Sequence, residues 1–112
     1  MAKFEITKRK NGEFQYNLKV TNGEIILTSE GYAAKASCQK GIASVKKNSA
    51  DDLRFEKKVS KNGKPFFNLK AKNGQIIGTS EMYESENARD KGIVSVKKNA
   101  PNAKIVDLTK EK

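Results

Sequence analysis

Thr28-Ser29-Glu30-Gly31-Tyr32 recurs as Thr79-Ser80-Glu81-Met82-Tyr83, a string that gathers a hydroxyl, a carboxylate and a phenol within five residues. At a strand end such a set could form a small polar site, with glutamate as base and tyrosine as acid or orienting donor. The competing reading is structural and stronger. Serine, threonine and glutamate between a strand and a helix satisfy loop amides, and a tyrosine there closes a core with its polar tip outward. The chain has no histidine, which removes the commonest acid–base group and metal ligand. Cys38 is the only cysteine, so neither an intramolecular disulfide nor a cysteine-built metal cage can form. No set of residues specifies a reaction, and the chain is expected to be non-catalytic and to hold no metal or cofactor.

Lysine is the other chemistry on offer. The net charge is +10, and the stretch from Lys57 to Ser80 holds Lys57, Lys58, Lys61, Lys64, Lys70 and Lys72 with no acidic residue. Its counterpart from Ile6 to Ser29 is tempered by Glu13 and Glu24. A solvated surface that keeps a small protein soluble is the plain reading, and an anion-binding face is the functional one. On the functional reading the six lysines join Asn68 and Phe66, with Asn17 and Lys19, on a sheet face. Lysine and asparagine would hold a phosphate backbone there while the aromatic stacks a base. Nucleic acid or another polyanion is the expected partner. The alternative is a structural or protein-interaction module, pairing with a protein partner or with itself through sheet edges.

The elements that must position these residues are written twice. Phe4 to Asp51 aligns with Phe55 to Asn102 at a constant offset of 51 residues without a gap, and about half of the positions are identical. Asn11-Gly12 and Asn62-Gly63 separate alternating segments, as hairpin turns with positive φ angles do. Asn22-Gly23 and Asn73-Gly74 turn the chain again, into third strands at Glu24 to Thr28 and Gln75 to Thr79. Phe4, Ile6, Tyr16, Leu18 and Val20 should then share one sheet face, with Gln15, Asn17 and Lys19 on the other.

Helices are predicted at about Ala34 to Lys47 and Ser85 to Lys98, with acidic starts in the second and lysines closing both. Asn48 and Asn99 suit a left-handed residue past the helix end. Cys38, Ile42 and Val45 fall on one helix face with Ala34, which implies a buried thiol; Arg89 replaces Cys38 and is expected to reach outward beside Glu86. Gly41 and Gly92 lie mid-helix at a cost of about 1 kcal/mol each, which implies close approach of helix to sheet. The offset carried once more from Phe55 reaches Val106, so Ile105 to Thr109 reads as a seventh strand that completes the sheet of the second repeat.

The fold class expected is α+β: tandem βββα repeats, 3–53 and 54–109, plus a C-terminal strand, sharing one core in a single domain over 1–112. No apolar run approaches the roughly 18 residues of a membrane span, and the start lacks the apolar stretch of a signal peptide, so a cytoplasmic location is expected. The twice-written Thr-Ser-Glu-x-Tyr string, followed by Lys-Gly-Ile-x-Ser-Val-Lys-Lys-Asn, resembles the bacterial YegP-like family along nearly the whole chain. That resemblance implies an α+β fold of tandem βββα units and no particular activity. Single-repeat members of that family imply that two fused repeats act as a covalent pseudo-dimer.

Overall fold

The computed structural model describes residues 2–109; the tail expected to fray, 110–112, lies outside them. Repeat one forms β1 (Lys3–Lys8), β2 (Phe14–Lys19), β3 (Ile25–Thr28) and α1 (Lys35–Asn48). Repeat two forms β4 (Phe55–Val59), β5 (Pro65–Lys70), β6 (Ile76–Thr79) and α2 (Glu86–Asn99), and β7 (Lys104–Asp107) follows. One mixed sheet takes the order β4-β5-β6-β3-β2-β1-β7.

Its six strands from β4 to β1 are palindromic because β3 and β6, copies of one strand, meet antiparallel at Thr28 and Thr79. Two copies of a strand paired antiparallel are necessarily related by a two-fold axis. The repeats therefore join as a pseudo-dimer, with one core cluster running through both. Phe4, Ile6, Tyr16, Leu18 and Leu27 meet Phe67 and Leu69 beneath Cys38, Ile42, Val45 and Val96, all fully buried. The helices cross over the axis: α1 reaches β5 and β6, and α2 reaches β3.

The turns are built differently from the expectation. Among the described residues only Gly12, Gly23, Gly63 and Gly74 take positive φ, near +87° in each case. The N–H of Gly12 donates to the carbonyl of Arg9 at 2.9 Å and that of Arg9 to Glu13 at 2.7 Å, a type I turn closed by a glycine bulge. The preceding asparagine stays in ordinary backbone and uses its side chain, as where Asn22 Oδ1 accepts from Glu24 N–H at 2.9 Å. Asn48 and Asn99 are likewise not left-handed: each is the last helical residue, donating its amide to the carbonyl four residues back at 2.8 Å.

The seventh strand exists but completes the other repeat. β7 lies parallel to β1, with Phe4 beside Ile105 and Ile6 beside Asp107, whereas β4 stays in its own repeat against β5. Two features explain the choice. α2 carries the chain back across the axis toward β1, and the core-side residue of β1 is Ile6 where β4 has Lys57.

Candidate anion-binding surface

The six lysines of the basic stretch do not share one face. Lys58 and Lys70 project from the sheet side away from the helices, opposite and beside Phe66 and Asn68. Lys61 and Lys64 sit at the β4–β5 turn, Lys72 sits at the other end of β5, and Lys57 lies on the helix side of the edge strand. The expectation of a single basic sheet face is corrected accordingly. Strand alternation sends Lys57 and Lys58 to opposite sides, and the length of β5 separates its two turns.

Carboxylates also consume much of that charge. Glu5 bridges Lys19 at 3.0 Å and Lys3 at 3.3 Å, and Lys70 meets Glu56 at 3.1 Å in the pseudo-equivalent place. Lys64 pairs with Glu84 at 2.7 Å and Lys57 with Asp90 at 3.2 Å. The hydrogen bond from each lysine holds its partner carboxyl below the usual range, Lys19 acting first on Glu5 and Lys57 first on Asp90. Asn68 is buried and accepts from Thr79 Oγ1 at 2.9 Å, so its carbonyl is occupied within the sheet. Arg89 does not reach outward; it is buried and bonded to Asp90 at 3.2 Å.

Unneutralised cations converge instead on the helix side. Lys40 and Lys47 stand seven residues apart on α1, which puts them about 20° from alignment on one face, two turns apart. Because α1 spans its own β2 and also β5 and β6 of repeat two, both face the turn between β5 and β6, which carries Lys72. Together they border a cleft of about 440 Å³ floored by Ala43, Ser44 and Ala71, with Asn48 and Asn73 at its rim. Among the described residues no carboxylate lines this cleft, and none of the three lysines forms an ion pair. The pseudo-equivalent place beside α2 is different: Thr21 replaces Lys72, and Glu24 replaces Gln75. Glu24 there lies beside Glu81, whose carboxyl is pushed up by burial and then by that neighbour.

The Thr-Ser-Glu-x-Tyr strings divide by residue. Ser29 Oγ accepts from Tyr16 N–H at 2.9 Å and donates to the carbonyl of Glu30 at 2.7 Å, and Ser80 repeats this with Phe67 and Glu81. Both serines complete the ladder between neighbouring strands. Tyr32 and Tyr83 turn into the core beneath Gly41 and Gly92, where burial raises both phenols, Tyr83 to about 12. Thr28 and Thr79 line a groove of about 640 Å³ on the two-fold axis, between Ile25 and Ile76. Among the described residues no group of three or more metal-binding side chains occurs.

Of the three lysines around this cleft the sequence reading named Lys72 but not Lys40 or Lys47, because nothing local says that α1 extends over the other repeat. The divergences of Lys72 from Thr21 and Gln75 from Glu24 were the available sign.

Comparison with known proteins agrees with the duplicated architecture. The DUF1508 family, a domain of unknown function, matches residues 10–56 and again 60–107. The UPF0339 protein of Acinetobacter baylyi is 60% identical over 106 residues, 95% of this chain and 96% of that one. The UPF0339 protein YegP of Escherichia coli O157:H7 is 52% identical over 106 residues, again 95% and 96% of the two chains. The solution NMR structure of a UPF0339 protein from Shewanella oneidensis superposes with a TM-score of 0.90 at 51% identity, over 96% of this chain and 91% of that one. That of the E. coli protein, described as of unknown function, gives 0.92 at 49% identity, over 99% and 96%. With both repeats matched and relatives alike from end to end, the chain belongs to the DUF1508 family, as a two-copy member similar to the UPF0339 proteins.

Proposed function

We propose that the protein is a non-catalytic binding module of the cytoplasm that takes a polyanion, nucleic acid foremost, at the Lys40, Lys47 and Lys72 cleft. The observation that carries the reading is the contrast in neutralisation. The sheet-face lysines Lys3, Lys19 and Lys70 are each held by a glutamate, while the cleft presents three cations without a carboxylate in its lining. Phosphates entering there displace no internal ion pair, and the Asn73 amide at the rim and the Ser44 hydroxyl of the floor can donate to them. The overall charge of +10 favours encounter with any polyanion.

The test is binding of single-stranded and duplex oligonucleotides as salt is raised. Three phosphate contacts give a log–log slope of about −2 to −3. Joint reversal of Lys40, Lys47 and Lys72 to glutamate should abolish binding, and reversal of Lys58, Lys61 and Lys70 should leave most of it. The opposite pattern would return the contact to the sheet side. Absence of binding at low salt, or binding indifferent to salt, ends the proposal.

A further inference from the structure

The two outer strands of the palindromic sheet, β1 and β4, are equivalent in sequence but not in surroundings. β7 lies along the outside of β1, with Lys104 N–H donating to the carbonyl of Ala2 at 3.2 Å and Leu108 N–H to Ile6 at 3.0 Å. Along the outside of β4 no strand lies among the described residues.

We propose that β4 accepts a further parallel strand from a partner protein: an extended peptide with an aliphatic side chain two residues before a carboxylate. Placement comes from the protein's own symmetry. Beside β4, Phe55, Ile93 and Val94 line a cleft of about 390 Å³ with Asp52, Lys57 and Asp90 around it. Its equivalent beside β1 is where Ile105 adjoins Phe4 in register. The exposures follow that occupancy. Ala2 is 5% exposed and its counterpart Leu53, just before β4, is 85% exposed; Phe4 is fully buried and Phe55 only partly. Apolar side chains of this size on a bare sheet edge are what strand addition covers.

The register fixes the chemistry. Transferring β7 by the two-fold axis sets an aliphatic residue beside Phe55 and, two residues on, a side chain beside Lys57, where Asp107 stands beside Ile6. In repeat one Asp107 is clamped by Lys35 at 2.8 Å, and Lys46 holds the carbonyl of Ala103 at 2.9 Å. In repeat two Lys97 retains the place of Lys46, whereas Glu86 stands in the place of Lys35. Two cations compensate: Lys57 replaces Ile6 and Arg89 replaces Cys38, both now turned on Asp90 at 3.2 Å. A carboxylate arriving beside Lys57 shares these cations with Asp90. A second copy of β4 is a poorer occupant, because full antiparallel self-pairing of Phe-Glu-Lys-Lys-Val sets Lys57 opposite its own copy on the helix side, where a carboxylate is wanted, although Glu56 then faces Lys58.

The protein's own β7 segment has the required pattern, Ile105-Val106-Asp107, and a capped peptide of sequence 103–109 is the probe. Added to isotope-labelled full-length protein, it should shift the amides of Phe55 to Val59, Ile93 and Val94 and slow exchange at the outward amides of β4. Replacing its aspartate by lysine should weaken binding by about tenfold or more, and Lys57→Glu in the protein should invert that preference. No shift at millimolar peptide overturns the proposal. So do shifts confined to Lys3 to Lys8, which would mean exchange with β7. Protection of β4 that grows with protein concentration without peptide overturns it in favour of self-association.

Discussion

Each repeat stands an aromatic pair beneath a helical glycine, and the two pairs differ by one oxygen. Tyr16 and Tyr32 stack at 6.2 Å under Gly41, and Phe67 and Tyr83 at 6.4 Å under Gly92. The hydroxyl of Tyr16 donates across the axis to the carbonyl of Ile77 and interacts with that of Tyr32. Phe67 has no hydroxyl, so Tyr83 Oη lies buried with no hydrogen-bond partner among the described residues. Ring packing is thus held in both copies while polar completion is held in one. The axis itself shows the same economy: Leu27 fills the space, and its counterpart Gly78 leaves room for it. At Leu27 and Gly78 the two-fold axis lets one copy supply what the other gives up, whereas at Tyr16 and Phe67 the loss stays within one copy.

The largest effect should come from forcing symmetry at that axis. A Cβ on Gly78 would stand 2.7 Å from Leu27 Cγ, inside a fully buried contact. Gly78→Leu should lower unfolding free energy by about 3 kcal/mol, the upper part of the usual overpacking range. Adding Leu27→Gly should recover much of the loss, because the pair then exchanges roles; independent effects in chemical denaturation would refute the pairing. Next in size are the helical glycines. Helix propensity alone promises about 1 kcal/mol of stabilisation for alanine at Gly41 or Gly92. The new Cβ would instead meet Tyr32 Oη at 2.6 Å, or Tyr83 Cζ at 2.7 Å. Both variants should therefore lose about 1–2 kcal/mol; a gain would show that the tyrosines yield.

These glycines also mark how far the sequence could be read. Their position called for a close approach, and what approaches is a tyrosine ring from the repeated string rather than the sheet backbone. Strand faces, hairpins, helices and the buried Cys38 thiol were legible because period, turn residues and charge act within a few neighbours. The destination of β7 and the convergence of Lys40 and Lys47 on Lys72 were not, since both depend on helices crossing the two-fold axis. The lysine run misled for a related reason: the carboxylates of Glu56, Glu84 and Asp90 that neutralise it lie outside the run and meet it only in the fold.

The contrast between the two sheet edges predicts a local pH effect. Hydrogen bonds from Lys35 and then Thr109 hold the Asp107 carboxyl at about 2, below its ordinary 3.8. A carboxyl depressed in the folded state contributes its stabilisation above the unfolded value and loses it as pH falls toward the folded one. Hydrogen exchange at β7 should therefore quicken as pH drops from about 4 to 2, after correction for intrinsic rates, and by more than at β4 and β5, where Glu56 and Asp90 are lowered without so large a shift. Lys35→Gln should move the onset upward. An onset unaltered by that substitution would detach β7 docking from the ion pair.

The smallest effects belong to the hydroxyls. Tyr32→Phe removes a group that interacts with Tyr16 and should cost about 0.5–1.5 kcal/mol. Tyr83→Phe removes a buried oxygen with no partner, so the loss of packing is nil and the desolvation penalty disappears; stability should hold or rise by about 1 kcal/mol. Phe67→Tyr approaches the same asymmetry from the other side, giving Tyr83 a partner as Tyr16 partners Tyr32. If the difference between copies is only this oxygen, Phe67→Tyr should stabilise wild-type protein and have less effect once Tyr83 is phenylalanine. Equal effects in the two backgrounds, measured by thermal denaturation, would mean that the introduced hydroxyl bonds elsewhere and that the two piers differ in more than their polar tips.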